Sequence, residues 1–140
     1  MKNKYFEDKD VREFVLKIFI TMYQDKFVPD IIYGFARGGL VPGIYLSHMI
    51  GIPFVAINKD CDFSHDKLDY KNALILDDIN DTGNTLSEFS NKYGHLFDTV
   101  KYATLVNNTS SSFAVDYSGY DYNKFDALEW VVFPWESWWR

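Results

Sequence analysis

At 140 residues the chain has room for one hydrophobic core and little more, so a single domain over residues 1–140 is expected. Apolar residues at 47% exclude disorder as the main state, and a formal charge of −6 opposes adhesion to phosphate polymers and anionic membranes, so neither nucleic acid nor membrane is an expected partner. No apolar run approaches the roughly 20 residues of a spanning helix, the start MKNKYFEDKD resembles no targeting segment, and Cys61 stands alone in a polar loop, so a reducing, cytoplasmic setting is expected.

Between residues 9 and 25, Val11, Phe14, Val15, Ile18, Phe19 and Met22 recur at three-and-four spacing with charges between them, which predicts an amphipathic helix. Beyond Pro29 the run DIIYGF reads as a short buried strand, and ARGG as a loop whose glycines open backbone conformations closed to other residues. A second helix is predicted from about Val41: Pro42 suits its first turn, Ile44, Tyr45, His48 and Met49 gather on one side with His48 packed among them, and Gly51 with Pro53 ends it. PFVAI is the next strand, and residues 58–72, NKDCDFSHDKLDYKN, form a polar loop. ALIL is the third strand and delivers the acids of DDIND to its carboxyl end; a helix follows from about Thr85 to Tyr93, closed by Gly94, with His95 capping or hydrated beyond it. TVKYATLV is a fourth strand, NNTSSS a loop, and EWVVF a late strand ended by Pro134. Strands alternating with helices imply an α/β fold with a parallel sheet covered on both faces. Ligands of such sheets bind beyond the carboxyl ends of the strands, where ARGG and DDINDTGNT both lie.

The turn DTGNT joins a buried strand to a helix, so its backbone N–H groups point outward without intrahelical partners and the helix dipole adds positive charge, a combination that binds a phosphate monoester. Thr82 and Thr85 add hydroxyl donors, and Gly83 lets the main chain come close. It is not a Walker loop, because GxxxxGK[ST] spacing is absent. Asp77 and Asp78 just before it can accept hydrogen bonds from vicinal hydroxyls and help hold a hard cation such as Mg²⁺. A phosphate pocket beside a diol-and-magnesium pocket describes a ribose 5-phosphate. The acids of residues 58–72, Asp60, Asp62 and Asp66, with His65, have no spacing that fixes a metal geometry and are read as a solvated loop.

LILDDINDTGNT resembles the phosphoribosyl pyrophosphate (PRPP) signature of type I phosphoribosyltransferases: an apolar strand, two acids, two spacers, then an acid-Thr-Gly-x-Thr turn. PDIIYGFARGGLVPGIYLSHMIGIP resembles the preceding part of the xanthine/guanine/hypoxanthine branch of that family, and WVVFPWE its purine-pocket segment. Together these segments cover most of the chain in the family's order. The resemblance implies a central, mostly parallel sheet flanked by helices, with a short hood loop at residues 58–72. It implies transfer of 5-phosphoribosyl from PRPP to a free nucleobase, a purine such as xanthine, guanine or hypoxanthine, with release of pyrophosphate and Mg²⁺ as cofactor.

Residue by residue, the resemblance implies that Ala36, Arg37, Gly38 and Gly39 receive the pyrophosphate, often through a cis peptide, with Arg37 countering charge on the leaving group. Asp77 and Asp78 would hold the ribose hydroxyls and Mg²⁺, Asp81 would face the purine imidazole edge and accept its proton, and Thr82, Gly83, Asn84 and Thr85 would cradle the 5-phosphate. Trp130 matches the residue that stacks on the base, and Val131 the neighbour whose main chain contacts its edge. Relatives are commonly dimers or tetramers, so a homo-oligomer is expected, with Trp135, Trp138 and Trp139 either at a subunit contact or folded back on their own domain.

Two departures stand out. Where the purine branch has a lysine that donates to the 6-oxo group, this chain reads Asn107, Asn108, Thr109, and an uncharged amide would recognise that group differently. The loop at residues 58–72 is short for a lid, though Lys59, Lys67 and Lys71 are candidates to reach the diphosphate. These departures support an alternative, a non-catalytic protein of the same fold that senses PRPP or a nucleotide.

Overall fold

Successive residues of a strand point to opposite faces of its sheet, so a strand buried on both sides must be apolar throughout, and the run beyond Pro29 is. In β2 (Ile31–Phe35), Ile32 joins one core cluster while Ile31, Tyr33 and Phe35 join another. The structure, a computed structural model, describes residues 2–61, 63 and 69–140. Strand β4 (Asn72–Asn80) repeats the pattern, sending Leu74 and Leu76 to the first cluster and Ala73 and Ile75 to the second. With β3 (Phe54–Ile57), β5 (Thr99–Asn108) and β6 (Tyr117–Tyr122), these strands form a five-stranded sheet in the order β3-β2-β4-β5-β6, every neighbouring pair parallel.

Helix α1 (Asp8–Gln24) opens on a capping box in which the Glu7 N–H donates to Asp10 Oδ2 at 2.8 Å, and it buries Val11, Val15, Ile18 and Met22 as its spacing predicts. It covers the first face of the sheet together with Leu46 of α2 (Leu40–Ile50); Leu86 and Phe89 of α3 (Asn84–Tyr93) cover the second. This is the type I phosphoribosyltransferase architecture that the resemblance implies. Among the described residues no helix is long and apolar enough to cross a membrane.

The structure corrects several sequence expectations. The third predicted strand does not stop at Leu76: β4 continues to Asn80, with Asp77 paired to Thr104 and Asn80 to Asn107, so both acids are strand residues held in register by β5. The asparagines of NNTSSS likewise belong to β5. Helix α2 turns its predicted apolar side outward, leaving Ile44, Tyr45, His48 and Met49 exposed. The buried side carries Pro42, Gly43 and Leu46, because α2 sits so close to the sheet that a Cβ on Gly43 would lie 2.2 Å from the Phe54 ring. Gly94 closes α3 as expected, its N–H donating to Ser90 O, and a short 3-10 turn, Gly94–Leu96, then leads the chain into β5. Asp62, His65, Asp66 and Lys67 lie outside the described residues.

Two strands went unforeseen. Strand β1 (Lys2–Tyr5) has no apolar alternation; it pairs in parallel with β7 (Glu129–Val132) in a separate ribbon, matching Asn3 to Trp130 and Lys4 to Val131. Strand β6 reads as a polar segment, YSGYDY, yet buries Tyr117 and Gly119 under α1, where the Tyr117 hydroxyl also hydrogen-bonds to Asp25. In the tail, Trp135 stacks on Phe133 with ring centroids 4.8 Å apart, while Trp138 and Trp139 remain exposed.

Thr104 is fully buried in β5, and its hydroxyl has no hydrogen-bond partner among the described residues. A stranded hydroxyl keeps its desolvation cost without return, whereas valine has the same shape without the polar atom. Thr104→Val is therefore expected to stabilise the fold by about 1 kcal/mol, read as a higher urea midpoint with an unchanged slope.

Candidate active site

Both unusual loops lie at the carboxyl end of the sheet, and the structure brings them into contact. In the first, Ala36 and Arg37 are exposed and joined by a cis peptide bond, the feature the resemblance associates with this loop. Gly38 follows so near to β4 that a Cβ on it would lie 2.1 Å from Cγ of Asp78. Any side chain there would displace the carboxyl group. Gly39 is packed as tightly, a Cβ falling 2.6 Å from the Leu76 carbonyl oxygen, and its N–H donates to Phe35 O at 2.7 Å. Among the described residues the N–H groups of Arg37 and Gly38 have no hydrogen-bond partner, while Gly39 serves close packing. Arg37 is exposed, and its guanidinium makes no ion pair among the described residues.

The second loop turns at Gly83, whose φ of 93° lies in the left-handed region that favours glycine. Thr82 and Asn84 are exposed and Thr85 is half-buried, while the N–H groups of Gly83 and Thr85 have no hydrogen-bond partner among the described residues at the start of α3. The Asn84 N–H instead reaches Thr82 Oγ1 at 3.2 Å. Behind this turn stands a brace absent from the sequence reading. Ser112 N–H and Oγ both donate to Thr82 O, at 3.1 and 2.9 Å, and Nδ2 of buried Asn80 lies within 3.0 Å of Asn107 Oδ1, Ser111 Oγ and Phe113 O. The segment predicted as a loop, NNTSSS, thus supports the turn from beneath.

Between the loops sit Asp77 and Asp78. Backbone N–H groups donate to each, Asp78 N–H to Asp77 Oδ1 at 2.9 Å and Ile79 N–H to Asp78 Oδ1 at 2.7 Å. These bonds do not offset the loss of water. Desolvation first, then repulsion from Asp78, pushes the Asp77 carboxyl up to about 8, and desolvation raises Asp78 as well. Two acids this close together and this far out of water hold a proton more readily than free carboxyls do. Such a pair fits a divalent cation, which would replace that proton and relieve the repulsion. Among the described residues no group of three or more metal-ligating side chains gathers, so a cation held by this pair would complete its shell with water and ligand oxygens.

Farther along, Asp81, Lys124, Trp130 and Val131 line a cavity of about 100 Å³ that Asp78 also borders. Trp130 is 56% exposed and offers its ring as an open wall, whereas Val131 is buried in the core. Lys124 is the functional candidate that sequence reading missed: its Nζ lies 2.9 and 3.1 Å from the two carboxylate oxygens of Asp81, and that hydrogen bond together with the nearby charge raises the lysine above its ordinary range. Nothing in YNKFDALEW marks it. Asn108, one of the two asparagines expected near the base, is instead buried, its Nδ2 donating to Asp81 O at 2.8 Å and its Oδ1 accepting the Lys124 N–H at 3.1 Å.

Of the loop lysines, Lys59 lines a recess beside Thr85. Lys71 sits at the opposite end of β4 from the acids, about 20 Å from Asp77 at the rise of an extended strand, and cannot join them.

No family model and no curated protein matches the chain. Among solved structures, a purine phosphoribosyltransferase from Pyrococcus horikoshii Ot3 superposes with a TM-score of 0.78 and 31% identity, covering 98% of this chain and 95% of that one. A xanthine-guanine-hypoxanthine phosphoribosyltransferase from Helicobacter pylori has the same TM-score and coverage at 22% identity. A hypothetical protein from Neisseria gonorrhoeae with bound ppGpp has a TM-score of 0.75 at 19% identity, covering 98% of this chain and 91% of that one.

The Asp77 carboxyl gives a stability test. An acid with a raised folded pKa binds more protons folded than unfolded between about pH 4 and pH 8, so the metal-free protein loses stability as pH rises through that window. Asp77→Asn keeps the Oδ1 acceptor and removes the titration. Its unfolding free energy from urea titration is expected to exceed that of the unsubstituted protein by a margin that widens with pH, reaching about 1–3 kcal/mol near pH 8.

Proposed function

The chain belongs to the type I phosphoribosyltransferase family, and from that premise we propose that it transfers the 5-phosphoribosyl group of PRPP to a purine base and releases pyrophosphate. The observation that supports this is the packing of Gly38 against the Asp78 carboxyl, which sets the loop carrying Arg37 beside the acids, while Asp78 also borders the cavity that Asp81 and Trp130 line.

In this proposal the N–H groups of Gly83 and Thr85, with the Thr82 and Thr85 hydroxyls, bind the 5-phosphate, and the brace beneath Thr82 keeps them aimed before substrate arrives. Asp77 and Asp78 accept the ribose hydroxyls. They are also the residues that would hold Mg²⁺, which when bound supplies positive charge to the diphosphate oxygens. The N–H groups of Arg37 and Gly38 and the Arg37 guanidinium meet the leaving diphosphate, where negative charge grows as the bond to the sugar breaks. Trp130 supports the base face. Asp81 accepts the ring proton that the base loses as its nitrogen attacks carbon 1. No covalent intermediate with the protein is required, and catalysis rests on placement and charge.

Mixing the protein with Mg²⁺, PRPP and a panel of purines, pyrimidines and nicotinamide-type bases is expected to release pyrophosphate with at least one purine. Asp81→Asn should lower kcat by about 10²-fold, and Arg37→Ala by about 10²–10³-fold, both with little change in melting temperature. Silence across the whole panel would overturn the transferase proposal. Calorimetric PRPP binding without turnover would favour the sensing alternative.

A further inference from the structure

We propose that Ser112 and Asn108 are positioning residues of the phosphate turn: each holds one of its carbonyls, and together they aim the N–H groups of Thr82 and Gly83 at the anion. The inference rests on the 5-phosphate assignment above and adds to it two residues that never touch the ligand. Ser112 donates twice to Thr82 O, from its N–H at 3.1 Å and its Oγ at 2.9 Å. Asn108 Nδ2 donates to Asp81 O at 2.8 Å.

A trans peptide is a rigid plane whose C=O and N–H point in opposite directions, and both peptides of this turn are trans. Fixing the Asp81 oxygen therefore fixes the Thr82 N–H, and fixing the Thr82 oxygen fixes the Gly83 N–H. Each is turned away from the residue that holds its plane. Neither N–H has a hydrogen-bond partner among the described residues. Successive N–H groups held free in this way form the concavity that takes an anion.

The turn does not supply that aim by itself. Gly83 stands at φ 93°, and a glycine lets the neighbouring peptide plane rotate at little steric cost. The segment after β5 removes this freedom by lying against it: a Cβ on Gly83 would fall 2.7 Å from Phe113 N and 2.8 Å from Ser112 Oγ. That segment is itself anchored. Nδ2 of buried Asn80 holds Ser111 Oγ and Phe113 O, on either side of Ser112 in the chain, each at 2.8 Å, and Asn108 Oδ1 accepts from Ser110 Oγ at 2.7 Å. With its hydroxyl proton given to Thr82, Ser112 has no side-chain donor left for a ligand, so its effect on binding passes through the turn. Asn108, 5% exposed, acts in the same way. A connection that only joined β5 to β6 would need no pair of donors on a carbonyl of another loop.

The test is made at Ser112, which is exposed and can be replaced without opening the core. Ribose 5-phosphate is titrated by calorimetry into the unsubstituted protein, Ser112→Ala and Ser112→Thr, with pyrophosphate as the probe of the Arg37 loop. Ser112→Ala keeps the backbone donor and loses the hydroxyl, so it is expected to bind ribose 5-phosphate about 3–10-fold more weakly, with pyrophosphate affinity unchanged. Ser112→Thr should restore the affinity. In turnover the same loss is expected in KM for PRPP, with kcat unchanged. Amide NMR reads the aim directly: ribose 5-phosphate should move the Gly83 N–H downfield in the unsubstituted protein and less so in Ser112→Ala. Unchanged ribose 5-phosphate affinity in Ser112→Ala, or equal weakening of both probes, overturns the inference. If no base is turned over, the transferase proposal fails while the binding and NMR measurements still decide the role of Ser112. A Gly83 amide that ribose 5-phosphate leaves unmoved in the unsubstituted protein overturns it as well.

Discussion

The absence of a side chain at Gly38 is the constraint on which the site depends. Its backbone rests against the Asp78 carboxyl so closely that even a methyl group has no room, and through that contact the loop after β2 meets the end of β4. Gly39 repeats the constraint one residue on, against the Leu76 carbonyl. Close packing of main chain on main chain leaves the loop little freedom to drift, so the Arg37 side chain is presented from a nearly fixed anchor. A cleft that must meet charge as it develops needs that fixity, because donors that reorganise during reaction return part of the energy they supply.

The acids show what such a site costs the fold. Asp77 and Asp78 could be relieved of each other by water or by a nearby cation, yet they sit at the end of a buried strand where desolvation outweighs the backbone hydrogen bonds they receive. The rest of the sheet holds them there. Pairing of Asp77 with Thr104 and of Asn80 with Asn107 extends the ladder through the acidic segment, and the Asn80 amide fastens that ladder to the residues that support Thr82. Stability is withheld locally, in a place where a cation or a hydroxyl-rich ligand can restore it.

Charge at the far wall is organised differently. The chain is acidic as a whole, at −6, but Lys124 places a cation against Asp81 on the wall of a cavity whose other charged residues are the carboxylates Asp78, Glu129 and Glu136. The resemblance leads one to look for a lysine directly after the fourth predicted strand, where this chain has asparagines. Asn108 occupies that place with another task, binding the backbones of Asp81 and Lys124 to each other. A cation can thus reach the same wall from a different stretch of chain, because a site is defined by where a side chain arrives and not by the segment that carries it.

The residues by themselves determined the α/β alternation, the apolar faces of α1 and β2, and the acid-glycine turn after β4, because these follow from periods and spacings within a dozen neighbours. The same local rules failed where burial depends on a partner far along the chain. The apolar side of α2 turned outward because Gly43 lets its other side approach Phe54, and β1 and β6 exist through pairing and packing that their polar sequences do not announce. Only the tertiary structure decided that NNTSSS is a brace, that Lys71 lies at the wrong end of its strand, and that Lys124 meets Asp81. Hydrogen bonds and ion pairs between residues distant in sequence have no period to read; they come into being when the sheet sets its strand order.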